Sequence, residues 1–136
     1  MGIITVKIYG KVKGKGRPKF SRMGNFVKTY TPKDTVEYEN LVRLSWMNTP
    51  DAKKLDGKIR ATVLAYFKIP KSVSKKKHAE MLDAPYASKP DTDNIAKSIL
   101  DALNGIAYDD DSQIVELHVY KTYSDDEYAV LELEEV

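Results

Sequence analysis

The chain has no cysteine. That excludes disulfides and thiolate-ligated zinc. No apolar run approaches the roughly 20 residues that a membrane-spanning helix needs. The N-terminal MGIITVKIYG alternates apolar and polar residues but has no charged leader, so it does not read as a signal peptide. A cytoplasmic protein is the expectation. Repeats, linkers and low-complexity tracts are missing too, apart from a short SKKK at 74–77. The two histidines, His78 and His118, have no histidine or cysteine near them in sequence and read as surface or sheet residues. What remains is an ordinary globular composition, 42% apolar and 31% charged in 136 residues, enough for one domain with a real core.

Acid is also absent from the start. No Asp or Glu precedes Asp34, while nine basic residues do: Lys7, Lys11, Lys13, Lys15, Arg17, Lys19, Arg22, Lys28 and Lys33. From Asp109 onward the balance reverses, with ten acidic residues and one lysine. The net charge of +2 conceals this polarity. A solvated basic face would account for such a cluster, and so would a polyanionic partner. Gly14, Gly16, Pro18, Phe20, Phe26 and Tyr30 lie among the basic residues. Glycines permit close backbone approach and aromatics stack on bases, which favours nucleic acid.

Residues 3–9 alternate as a strand with Ile4, Val6 and Ile8 inward. Residues 10–31 read as a loop or loose hairpin turning at Met23-Gly24-Asn25. Thr31 and Pro32 open a helix over 32–48, with Val36, Leu41, Leu44 and Tyr38 as its apolar stripe. A strand follows at 58–69, then a lysine-rich helix at 71–83 and a loop at 84–90. The helix over 92–104 carries Ile95, Ile99, Ala102 and Leu103 on one face and ends at Asn104-Gly105. Strands at 114–123 and 127–135 read as a hairpin closed by Ser124-Asp125-Asp126-Glu127. The expected fold is α/β (α+β), a single small domain over 1–136 with a mixed sheet of about four or five strands and about three helices packed on it.

Six aspartates crowd the segment from Lys89 to Ile114, three of them consecutive. Pro90 keeps Lys89 out of the helix. An extended Asp91-Thr92-Asp93 would project two carboxylates to one side, at the positive end of the helix that follows. The plain structural alternative makes Asp91 an N-cap and Asp93 a first-turn acid. If the chain returns along the helix, one of Asp109, Asp110 and Asp111 comes near that pair. Two or three carboxylates are the ligands that Mg²⁺ or Mn²⁺ prefers. Lys97 and Asp101 follow Asp93 at intervals of four, on one helix face. They form either a surface ion-pair ladder or an ammonium set beside a metal to offset charge on a phosphate. Two other phosphate and metal motifs fail. An EF-hand begun at Asp91 would place Ala96 and Ala102 where Gly and Glu are required, and GKVKGKG lacks Walker A spacing.

KGRPKF, YTPKDTVEYE, KPDTDNIAKSILDALNG and DDSQI, in this order, resemble the RusA family of Holliday junction resolvases of phages and prophages over roughly residues 6–123. The resemblance implies a small α/β homodimer, located with DNA in the cytoplasm of a bacterial or phage-infected cell. It implies Mg²⁺-dependent symmetric nicking of four-way DNA junctions in recombination and repair, with Mn²⁺ as a substitute. The family's two DxDN aspartates fall on Asp91 and Asp93, its lysine on Lys97, and its third aspartate in DDSQI, with Asp111 the first choice and Asp110 the second. Its basic loop falls on Lys15, Arg17 and Lys19. The DNA contacts expected from charge and resemblance together are Lys13, Lys15, Arg17, Lys19, Arg22, Lys75, Lys76 and Lys77. Two other classes stay open: a metal-dependent hydrolase of small phosphates, and a DNA-binding protein without catalysis.

Overall fold

The computed structural model describes residues 2–136. Its sheet is built from β1 (Ile4–Tyr9), β4 (Ile59–Lys68), β5 (Ile114–Ser124) and β6 (Tyr128–Glu135), in the order β1-β6-β4-β5. β6 runs antiparallel to both β1 and β4, and β5 runs parallel to β4. A separate two-stranded sheet joins β2 (Lys19–Met23) to β3 (Phe26–Tyr30). The helices are α1 (Lys33–Met47), α2 (Lys75–Met81) and α3 (Thr92–Leu100), the last continued by a 3₁₀ turn at Asp101–Leu103. The expected single α+β domain with a mixed sheet and three helices is what the chain forms. No described helix is long and apolar enough to cross a membrane.

Strand alternation explains the core. Ile4, Val6 and Ile8 of β1, Ile59, Ala61, Val63, Ala65 and Phe67 of β4, and Ala129, Leu131 and Leu133 of β6 point to one side and are buried. α1 and α3 pack on that side, with Tyr38, Val42, Trp46, Ile95, Ile99, Ala102 and Leu103 against the strands. The other side of the sheet stays partly open and carries polar pairs, such as Arg60 between Glu116 and Glu134. This is a two-layer arrangement, helices on one face of a mostly antiparallel sheet.

Two expectations are overturned. The strands at 114–124 and 128–135 are not a hairpin, because β4 lies between them and pairs with both. Alternation specifies which face of a strand is buried, not which strand lies beside it. The inner positions of β4 are apolar and buried along nearly its whole length, whereas β5 has no buried position, so β4 takes the central place. The second correction concerns α1. Of the expected stripe Tyr38 is buried, but Val36 and Leu44 are exposed and Leu41 is only partly covered; the buried set is Thr35, Tyr38, Glu39, Val42 and Trp46. Tyr38 is common to both faces, and Trp46 hides roughly 150–250 Å², more than Val36 or Leu44 would, so it sets the helix's rotation. α1 also starts one residue later than expected, at Lys33, with Pro32 in the cap position and no side-chain cap bond.

Candidate active site

The start of α3 is fixed from outside the helix. Residues 83–86 pair with the end of β5 as a short extra edge, through Tyr86 N–H to Lys121 O (2.9 Å) and Tyr123 N–H to Ala84 O (2.9 Å). The Tyr86 ring stacks on Phe67, centroids 4.0 Å apart. Lys121 then reaches back from β5, and its ammonium donates to Ser88 O (2.7 Å) and Pro90 O (2.9 Å). The backbone leading into Asp91 is thus held by a side chain 30 residues later (121 minus 91). Asp91 occupies the N-cap position without a side-chain cap bond, and its carboxylate is paired with Lys89 at 3.0 Å through both oxygens. Asp93 follows in the first helical turn.

Beside that turn lies a cleft of about 290 Å³ lined by Asp93, Ala96, Lys97, Leu100, Asp101, Asp111, Ile114 and Leu117. A β-bulge shapes its far wall. Ile59 faces Ile114 but Arg60 faces Glu116, so Val115 is an extra residue. Residues 114 and 117 differ by an odd number and would lie on opposite faces of a regular strand. The bulge turns both toward the cleft. One wall is therefore apolar, the other acidic with a single ammonium.

The three consecutive aspartates part company. Asp109 pairs with Lys54. Asp110 caps the 3₁₀ turn at 111–113, accepting from Ser112 N–H, and those bonds hold its carboxyl below the ordinary value. Asp111 faces the cleft. Its carboxyl is pushed up, first by burial, then by hydrogen bonding to Asp101 and repulsion from Asp110. Gln113 sets this division. Its carbonyl oxygen accepts from Asp109 N–H (2.8 Å) and Asp110 N–H (3.3 Å), and its amide donates to Leu55 O and Gly57 O (3.1 and 3.0 Å). Tyr108, fully buried, secures the preceding turn by donating to Leu100 O.

The basic N-terminal segment is docked here before it leaves the surface. Lys15 N–H donates to Asn94 O (2.8 Å), Gly16 N–H to Thr35 Oγ1 (2.9 Å), and the buried Ser98 hydroxyl to Lys13 O (2.8 Å) or Ile95 O (2.8 Å). A Cβ on Gly14 would lie 2.9 Å from Pro90 Cβ, and one on Gly16 2.8 Å from Thr35 Oγ1, so only glycine lets the chain lie this close to α1 and α3. Lys15 points inward. Its ammonium meets Glu39 at 2.8 Å and Asp101 at 3.4 Å, and these carboxylates outweigh the opposing effect of burial to raise its pKa. Lys13 is half-buried, whereas Arg17, Lys19 and Arg22 are exposed. The β2–β3 hairpin beyond carries Phe20, Met23, Phe26 and Val27 with more than half of their surface exposed, and none of its residues is buried. Lys75, Lys76 and Lys77 are exposed on α2, which meets the other end of β5 through His78 and Asp125 (2.6 Å). The seven steps of β5 from Leu117 to Ser124 put that end about 23 Å from the cleft, at roughly 3.3 Å per residue.

Asp93, Lys97 and Asp111, named from the sequence, share the cleft. Asp91 flanks it, and Asp110 does not line it. The donors are all carboxylate oxygens, with no imidazole or thiol among them, which suits a hard divalent cation such as Mg²⁺. Among the described residues, no three acidic or imidazole groups already stand together as a cage for one. Sequence reasoning missed Asp101 as a cleft residue, Glu39, Lys121 and Gln113. The only sequence signal was the Lys97–Asp101 spacing. The others act across 24 to 58 residues.

A scan of family models matches residues 9–134 to Endodeoxyribonuclease RusA. A curated relative from Bacillus subtilis (strain 168), named Uncharacterized protein YqaN, is 34% identical over 140 residues, spanning 100% of this chain and 99% of that protein.

Proposed function

The chain belongs to the RusA endodeoxyribonuclease family, and from that premise we propose that it is a Mg²⁺-dependent nuclease that resolves four-way DNA junctions by paired, symmetric cuts. One observation carries the reading: Asp93, Lys97 and Asp111 line a single cleft, at the point where a basic, aromatic hairpin leaves the surface. A hydrolase of small phosphates would have no use for that hairpin.

In this reading Asp91, Asp93 and Asp111 would hold the cation and Lys97 would face the scissile phosphate. A cation held there would supply Lewis-acid polarisation of the phosphate and a more acidic coordinated water. The Lys97 ammonium offsets charge that develops on the phosphate oxygens. Leu100 and Ile114 keep one wall apolar and partly shielded from water, which strengthens each of these interactions. Arg17, Lys19 and Arg22 meet backbone phosphates, and Phe20, Phe26 and Tyr30 offer faces on which unpaired bases stack. No groove-reading motif is present in the sequence, so the junction's shape and backbone are what is read.

Paired cuts call for two sites. A two-fold dimer supplies them, and the uncovered half of β5, with Val115 and Leu117 more than 40% exposed, is an edge on which a second copy can pair.

The test is cleavage of a four-way junction and of a linear duplex, each with Mg²⁺ and with EDTA, alongside sedimentation of the protein. Junction cleavage in Mg²⁺ alone, by a dimer, is expected. Binding without cleavage, or hydrolysis of free nucleotides instead, refutes it.

A further inference from the structure

Asp101 lies at the centre of a run of alternating charges. Its Oδ2 is 3.4 Å from the Lys97 ammonium on the solvent side and 3.4 Å from the Lys15 ammonium on the protein side. Lys15 in turn meets Glu39 at 2.8 Å. The three inner members are little exposed, 12% at Glu39, 23% at Lys15 and 19% at Asp101, whereas Lys97 is 60% exposed. Among the described residues, Asp101 is the one ion-pair partner of Lys97. The inner members are fixed by their backbones: Glu39 is in α1, and the chain at Lys15 is bonded to Asn94 on one side and, at Gly16, to Thr35 on the other.

We propose that Asp101 is a positioning residue that aims the Lys97 ammonium into the cleft, and that Lys15, held by Glu39, anchors Asp101. The proposal rests on the nuclease reading above. A lysine side chain has four rotatable bonds and loses much freedom when held in one place. A carboxylate that is itself immobile lessens that loss at the moment Lys97 must face a phosphate. Asp101 suits the task because it begins the 3₁₀ turn one helical turn beyond Lys97 and is only partly exposed. Lys15 then serves the site from within and is not a phosphate contact. Asp101 serves it through Lys97 and is not a further metal ligand. The charge pattern also explains why Lys15, alone among the basic residues of its segment, is turned toward two carboxylates.

The experiment compares wild type with Asp101→Asn, Lys15→Met and the double variant Lys15→Met/Glu39→Gln. Four quantities are read: single-turnover cleavage at saturating junction against Mg²⁺ concentration, junction Kd against salt in EDTA, thermal stability, and the rate of Lys97 acetylation by an amine-reactive reagent, followed by mass spectrometry. Both single variants are expected to cleave at least tenfold more slowly, with half-saturating Mg²⁺ and Kd within twofold of wild type. Lys97 acetylation should rise severalfold in both. The double variant, which no longer buries an unpaired Glu39 charge, should regain stability but not cleavage.

Cleavage that returns with stability in the double variant would mean a purely structural role and overturn the proposal. A raised Mg²⁺ requirement in Asp101→Asn would make Asp101 a ligand and overturn it. So would a weaker Kd with a salt slope reduced by about one in Lys15→Met, the mark of a lost phosphate contact. Wild type that cleaves no junction in Mg²⁺ or Mn²⁺ refutes the nuclease reading instead. The acetylation rates then decide the network alone, and unchanged Lys97 reactivity in Asp101→Asn overturns it.

Discussion

Gly14→Ala tests how tightly the basic segment is coupled to the acidic cleft. The added Cβ would lie 2.9 Å from Pro90 Cβ and 3.1 Å from Asn94 Cβ. Both neighbours are stiff, one a proline ring and the other at the base of a helical side chain, so the backbone must move. Overpacking of this kind costs about 1–3 kcal/mol. Gly14 is not among the residues with positive φ, so alanine fits the backbone and returns about 0.4–1 kcal/mol through the unfolded chain. The net expectation is a loss of about 1–2 kcal/mol, or roughly 3–10 °C in Tm for a chain of this size. Activity should suffer more than stability. Pro90 and Asn94 flank Asp91 and Asp93, and a displacement of even 1 Å in a positioned group can cost about a hundredfold in rate. The assay is urea unfolding together with single-turnover junction cleavage well below the midpoint. Gly2→Ala, where an added Cβ meets nothing within 4 Å, is the control. A Gly14→Ala variant with unchanged urea midpoint and full cleavage would refute the reasoning.

Asp91→Asn, Asp93→Asn and Asp111→Asn should each lower cleavage by orders of magnitude while junction binding in EDTA holds or improves. Asp110→Asn should cleave nearly normally, because asparagine caps as well as aspartate. Since burial and Asp101 raise the Asp111 carboxyl, the fold opposes its ionised form. Metal-free Asp111→Asn should therefore melt higher than wild type at pH 7, and the gap should close below about pH 4, where the wild-type group is protonated in both states. Melting curves in EDTA across that range check it. Neutralising Arg17, Lys19 and Arg22 together should weaken binding to all DNA and flatten the salt slope by up to about three counterions' worth. The same treatment of Lys75, Lys76 and Lys77 should leave the cleavage rate at saturating junction unchanged, since α2 lies at the far end of β5. Lys121→Met removes the tether to Ser88 and Pro90, and single-turnover kinetics should show a slower cleavage step with junction Kd unchanged.

Local pattern alone settles which faces of the strands and of α3 are buried and where the chemistry is concentrated. Ile4, Val6 and Ile8, the alternating run from Ile59 to Phe67, and the stripe Ile95, Ile99, Ala102 and Leu103 are all buried as their periods require. Periodicity is a local property, and burial follows from it directly. The asymmetry between a basic start and an acidic end was equally plain. Tertiary structure decided what depends on neighbours. Parallel pairing of β4 with β5 joins residues 55 or 56 positions apart, and nothing in either strand's alternation announces it. Trp46, absent from the expected apolar stripe of α1, drew the helix's buried face toward itself because the core had room for its ring. Three adjacent aspartates are equivalent as letters. They became a surface ion pair, a cap and a cleft residue only because Gln113 reaches Leu55 and Gly57 and so fixes the turn. Lys15 is another basic residue in a basic segment until Glu39 and Asp101, 24 and 86 positions away, turn it inward. A charge's role depends on which opposite charges share its low-dielectric surroundings, and that is settled only when the chain has folded.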